Sequence, residues 1–165
     1  MGKATVLVVD NDNDVFKIIE NALGTISYDI IFSKNGDEGL TRLRNSSIDI
    51  VLADQSILDM ACLDFLEIVK KEYPDVVTIM LADQMDLDTT LRAINEAGVY
   101  RFIQKPWNSF ELRINISRGL EFKKMIMEKR RLLEEIKKND LILQKLEKKF
   151  PYINRIIHQE VGADS

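Results

Sequence analysis

The residue pattern predicts an α/β domain, a parallel sheet wound on both faces by helices, followed by one long helix. Three observations carry that reading. Five short apolar runs fall within the first hundred or so residues, segments of helical period separate them, and no proline occurs between Pro106 and Pro151. Val and Ile dominate the runs, and three are continuously apolar rather than alternating, as expected of strands buried on both faces.

Each element follows from its own residues. Thr5–Val9 is the first strand and stops at Asp10; Val15, Ile18, Ile19, Ala22 and Leu23 then form a helical stripe with Gly24 as its C-cap. Tyr28–Phe32 is the second strand, and Leu40 and Leu43 anchor a helix after Gly36. Ile48–Ala53 is the third strand and stops at Asp54. Leu63, Leu66, Val69 and Lys70 mark the helix that Pro74 ends. Val76–Leu81 is the fourth strand; Leu87, Leu91, Ala93, Ile94 and Ala97 mark a helix ended by Gly98. Tyr100–Ile103 is the fifth strand. Past Pro106, Asn108 or Ser109 can cap the last helix.

That last helix is expected to outrun the domain. A heptad fits it, with Phe122, Lys129, Ile136, Leu143 and Phe150 at one core position and Met125, Leu132, Asn139 and Leu146 at the other. Seven of those nine are apolar, and a core asparagine is a register-setting device. The expected division is a domain over 1–122, a coiled-coil helix over 123–150 and a short tail over 151–165, with the helix pairing two copies of the chain. A helix folded back onto its own domain is the alternative.

Composition narrows the setting. The 165 residues carry a net charge of −4, with 45% hydrophobic and 30% charged residues. That balance argues against electrostatic binding of nucleic acid or an anionic membrane. A single cysteine, Cys62, excludes an internal disulfide and fits a reducing compartment. No apolar run approaches the length of a membrane span or a signal sequence, and Val6 stands where a myristoylation motif needs Ser or Thr. A cytoplasmic protein is expected, with neither nucleic acid nor membrane as a partner.

In a doubly wound sheet the loops at the carboxyl ends of the strands form the ligand crevice. Here those loops bring Asp10, Asn11 and Asp12 after the first strand, Asp54 after the third, Ala82 and Asp83 after the fourth, and Lys105 after the fifth. Clustered carboxylates repel one another unless a cation offsets them. An all-oxygen pocket suits Mg²⁺, and Lys105 can meet an incoming anion. Carboxylate, Mg²⁺ and lysine are the parts that move a phosphoryl group onto an aspartate.

The runs Val6-Leu7-Val8-Val9-Asp10, Asp49-Ile50-Val51-Leu52-Ala53-Asp54 and Tyr100-Arg101-Phe102-Ile103-Gln104-Lys105-Pro106-Trp107 together resemble the receiver domain of two-component response regulators, over about residues 4–122. The resemblance implies a five-stranded flavodoxin-like fold and no enzymatic output. A histidine kinase or phosphotransfer protein would donate a phosphoryl group from phosphohistidine to Asp54. Asp10, Asn11, Asp54 and the backbone carbonyl of Ser56 would hold Mg²⁺, with Asp12 as a further candidate, and Lys105 would contact the phosphoryl oxygens. Ala82 and Phe102 would be the switch positions. The segment Leu143-Gln144-Lys145-Leu146-Glu147-Lys148-Lys149-Phe150-Pro151 resembles dimerising coiled-coil tails found after some receivers, and no output domain is expected after Phe150.

Four departures from that pattern stand out: Asn11 replaces an acid, Ala82 a hydroxyl residue, Phe102 lacks a hydroxyl, and the loop after Asp54 has Leu58 for proline and Ala61-Cys62 for Asp-Gly. A degenerate receiver acting as a phosphorylation-independent interaction module is therefore an alternative. Asp10 and Asp12 also fit the Asp-x-Asp of a haloacid-dehalogenase-type phosphatase, although Asp14 is wrong for that family. An EF-hand loop is excluded by Val15 and Asn21. Cys62 reads as a small apolar contact, Trp107 as packing at the sheet edge and His158 as an exposed side chain.

Overall fold

The computed structural model describes residues 2–24, 27–84 and 86–152. Its elements alternate as β1 (Ala4–Val9), α1 (Asn13–Leu23), β2 (Tyr28–Ser33), α2 (Gly36–Asn45), β3 (Ile50–Asp54), α3 (Cys62–Glu72), β4 (Val77–Ala82), α4 (Leu87–Asn95), β5 (Arg101–Gln104) and α5 (Ser109–Lys149). The five strands form one parallel sheet in the order β2-β1-β3-β4-β5. The expected fold is therefore present.

Burial explains why the central strands are continuously apolar. Leu7, Val9, Val51, Ala53 and Met80 face one core, which α2, α3 and α4 complete with Leu43, Phe65, Leu66, Val69 and Ala93. Their neighbours Val6, Val8, Ile50, Leu52, Ile79 and Leu81 face the other, completed by α1 and α5 through Val15, Ile19, Leu112 and Ile116. Successive residues of a strand point to opposite faces, so both sets must be apolar when both faces are covered. Burying one such side chain contributes roughly 1.5–3 kcal/mol.

The helical stripes need correction. In α3 the buried face is Cys62, Phe65, Leu66 and Val69, whereas Lys70 is exposed and Leu63 only half-buried. In α4 only Ala93 is buried within the helix, and Leu87, Leu91 and Ile94 are exposed by 72%, 48% and 50%. Ile18 of α1 is likewise half in solvent. Periodicity finds an apolar face but does not say how much of it the sheet covers. The fourth helix also stops earlier than expected, at Asn95, and Gly98 follows as a separate turn with φ 62°. Gly24 does cap α1, its N–H donating to the Glu20 carbonyl.

Asn108 rather than Ser109 caps α5, its Oδ1 accepting from the Glu111 N–H at 2.7 Å. Gly119 does not interrupt this helix. A Cβ there would stand 3.1 Å from Ile50 Cδ1, so glycine lets the helix lie close on the sheet. Phe122 stacks on Tyr100 with centroids 4.7 Å apart, and Lys123 Nζ meets Asp49 Oδ1 at 2.5 Å.

The chain divides into two compact units, Met1–Met125 and Ile126–Ser165. In the second, every residue from Met127 to Phe150 is exposed. The residues expected at the seam, Leu132, Ile136, Leu143 and Leu146, are 38–55% exposed. His158 and most of the expected tail lie outside the described residues.

Candidate functional site

The strand order reverses at β1, which lies between β2 and β3. Asp10 follows β1 and Asp54 ends β3, so both stand at the switch point where α/β sheets bind ligands. Register adds the third group, because Ala82 at the end of β4 pairs with Gln104 and Lys105 comes next. The Lys105 N–H donates to the Ala82 carbonyl at 2.8 Å.

The side chains converge as the sequence predicts. Lys105 Nζ is 2.5 Å from Asp54 Oδ1 and 3.4 Å from Asp10 Oδ2. The second oxygen of each carboxylate accepts a backbone N–H at 2.9 Å, from Ser56 to Asp54 Oδ2 and from Asp12 to Asp10 Oδ1. Asp10 is 1% exposed and Asp54 6%. Two covered carboxylates therefore share one ammonium, which leaves a negative charge under cover.

That imbalance acts on both partners. Burial, and then the Asp54 charge, push the Asp10 carboxyl above its usual range against the pull of the Asp12 N–H and Lys105. Burial pulls Lys105 down, but hydrogen bonding and attraction from Asp54 and Asp10 outweigh it and raise the ammonium above its usual value.

The remaining predicted residues have their own surroundings. Asn11 is exposed beside Asp10. Asp12 caps α1, its Oδ1 accepting from the Asp14 N–H at 2.9 Å. Ser56 is exposed and donates its N–H to Asp54. Ala82 is fully buried, and Phe102 is half-buried against the core that holds Met80. Asp83 is exposed, and its carbonyl accepts from Gln104 Nε2 at 3.4 Å. Among the described residues no three His, Cys, Asp or Glu side chains group as a metal cage. Cys62 is buried, and burial with the nearby Asp54 charge pushes its thiol up to about 12, so it acts as a packing group.

Two further residues stand near the pocket. Ser33, fully buried at the end of β2, accepts the Asp10 N–H on its carbonyl at 3.0 Å. Trp107 is half-buried, with Lys105 Nζ 6.0 Å from its ring centroid. Its sequence position marks packing, and the ring does pack on the core that α1 and α5 share.

A family model described as the response regulator receiver domain matches residues 6–117. The chain belongs to the response regulator receiver family. Among curated proteins, this receiver is 25% identical over 142 residues to the hydrogenase transcriptional regulatory protein HoxA of Cupriavidus necator, covering 86% of this chain and 29% of that protein. It is 27% identical over 123 residues to the response regulator protein PilR of Pseudomonas aeruginosa, covering 74% and 27%. Among solved structures, the CheY-like response regulator receiver domain protein of Methanospirillum hungatei aligns with a TM-score of 0.71 and 25% identity, over 75% of this chain and 98% of that one. The receiver thus spans less than a third of either curated relative's own length.

Proposed function

We propose that this receiver accepts a phosphoryl group onto Asp54 from the phosphohistidine of a sensor histidine kinase or phosphotransfer protein. The observation that carries the reading is the shared ammonium, 2.5 Å from Asp54 and 3.4 Å from Asp10. In the transfer an Asp54 oxygen attacks phosphorus, the P–N bond to histidine breaks and an acyl phosphate forms. Lys105 screens both carboxylates beforehand and moves onto the phosphoryl oxygens afterwards. The Ser56 N–H holds the second Asp54 oxygen during the exchange.

The oxygen donors fit Mg²⁺, which takes one or two carboxylates and keeps several waters. Asp10, Asp54, the Asn11 side-chain carbonyl and the Ser56 backbone carbonyl would hold it. Asp12, with one oxygen engaged in its cap, is the weaker candidate. When bound, the ion supplies positive charge that offsets both carboxylates and polarises the phosphoryl oxygens.

The second unit serves dimerisation in this reading. Its seam leaves Leu132, Ile136, Leu143 and Leu146 exposed, and a second copy of the helix would cover them. The division into a receiver over 1–122, a pairing helix over 123–150 and a tail over 151–165 is thus a division of roles. No helix among the described residues is long and apolar enough to cross a membrane, and a cytoplasmic setting fits the buried unpaired thiol.

Acetyl phosphate or beryllofluoride with Mg²⁺ is expected to give an adduct on the wild-type chain by intact mass. No adduct at high Mg²⁺ would favour the phosphorylation-independent module, the second reading that Asn11 and Ala82 support. Light scattering should show a dimer that Ile136→Glu converts to monomer, and a wild-type monomer would overturn the dimer.

A further inference from the structure

The loop after Asp54 is tied to α2 by a carboxylate that the acceptor pocket does not use. Asp59 Oδ1 accepts from the Gly36 N–H and Oδ2 from the Asp37 N–H, each at 2.8 Å. These are the first two residues of α2, and Asn35 Oδ1 takes the third N–H, that of Glu38, also at 2.8 Å. First-turn N–H groups have no acceptor within their own helix and carry the positive end of its dipole. Two of the three are satisfied here from 22 and 23 residues away.

Packing reinforces the tie. A Cβ on Gly36 would stand 2.8 Å from Met60 Cγ and Sδ, so any other residue there would make the Met60 side chain shift from its place against the start of α2. Burial acts to raise the Asp59 carboxyl, but N–H donors from Asp37, Gly36, Asp59 and Met60 outweigh it and hold it below its usual range. The loop between is short and fixed at three points: Ser56 N–H on Asp54 Oδ2, the Ile57 side chain in the core, and Asp59 on α2. Leu58 between the last two is 78% exposed and adds no hold of its own.

We propose that Asp59 is a positioning residue for phosphoryl acceptance, setting the loop from the N-terminus of α2 so that Ser56 is presented to Asp54. The inference rests on the phosphoacceptor reading above. Asp59 touches no reacting atom. It acts through Ser56, whose N–H orients Asp54 and whose carbonyl belongs to the proposed metal shell.

The test uses the full chain and residue-resolved amide exchange, without phosphodonor, in wild type, Asp59→Ala and Asp59→Asn. Loss of the Asp59 anchor should speed exchange of the Ser56 amide about tenfold, the scale of one charge-assisted hydrogen bond. Asp59→Asn, which keeps an acceptor oxygen, should recover part of that protection. A cap that serves only α2 would expose the Gly36 and Asp37 amides and leave Ser56 unchanged, and that result overturns the proposal. The rate of adduct formation from acetyl phosphate should fall about tenfold in Asp59→Ala. Faster Ser56 exchange with an unchanged rate also overturns the positioning role. Should Asp59→Ala fail to fold, Asp59→Asn, which leaves one of the two α2 N–H groups without its carboxylate oxygen, must speed Ser56 exchange if the tie sets the loop. A wild-type chain without any adduct defeats the phosphoacceptor reading, while Ser56 exchange still decides whether Asp59 sets the loop.

Discussion

At the amino edge of the sheet Asp49 faces one ammonium, whereas at the carboxyl edge Asp10 and Asp54 share one. Asp49 receives Lys123 at 2.5 Å on one oxygen and the Thr5 N–H at 2.8 Å on the other, so its charge is matched and its acceptors are filled. Asp10 and Asp54 are filled by N–H groups on one side, but on the other they compete for Lys105. A matched pair holds α5 to the sheet. An unmatched one stays open to a cation and to an anion that the lysine can follow. Contact between aspartate and lysine does not make a site; surplus charge under cover does.

The largest test of this contrast is chemical. Asp54→Asn should abolish the acetyl phosphate adduct by intact mass, whereas Asp49→Asn should leave it intact. Loss of the adduct in both would mean that the amino edge also supports the chemistry. The next effect is thermodynamic. Lys123→Ala should lower stability in urea unfolding by about 1.5–3 kcal/mol without changing adduct yield. A chain ending after Phe122 should show a similar loss, and one ending after Met125 should keep the ammonium and its contribution.

Two smaller effects probe the carboxyl edge. Ala82→Thr restores a hydroxyl beside the pocket and should enlarge the change in dimerisation on phosphorylation, measured by light scattering with and without beryllofluoride. An unchanged response would place signal transmission elsewhere, with α2 the first place to look. The smallest effect is the acid response of Asp59. Its carboxyl is depressed in the fold, so its contribution is present above the ordinary aspartate range and is lost as pH falls through the folded value. The Tm difference between wild type and Asp59→Asn should therefore shrink on acidification. Solvent screening at this exposed group keeps it small.

How far the sequence reads depends on whether a feature is local. Asp10, Asp54 and Lys105 are legible because each lies just past an apolar run, and parallel strands bring run ends to one edge. The Asp49–Lys123 pair joins residues 74 apart, and no local pattern marks it. The Asp59 tie is hidden similarly, although Asn35 and Glu38 around Gly36 do spell a helix start. Around α4 the stripe of Leu87, Leu91, Ala93, Ile94 and Ala97 reads as a buried face, yet only the two alanines make the core contact. Phe122 shows another limit. It fits the first heptad position, but its ring stacks on Tyr100, within the first compact unit.

The single tryptophan lends this receiver an optical property. Trp107 sits with the Lys105 ammonium 6.0 Å from its ring centre, and no second indole contributes to the emission. An excited indole responds to a charge that moves beside it. If Lys105 leaves Asp10 and Asp54 for phosphoryl oxygens, the intrinsic fluorescence should change in step, so filling of the pocket could be followed in real time without a dye.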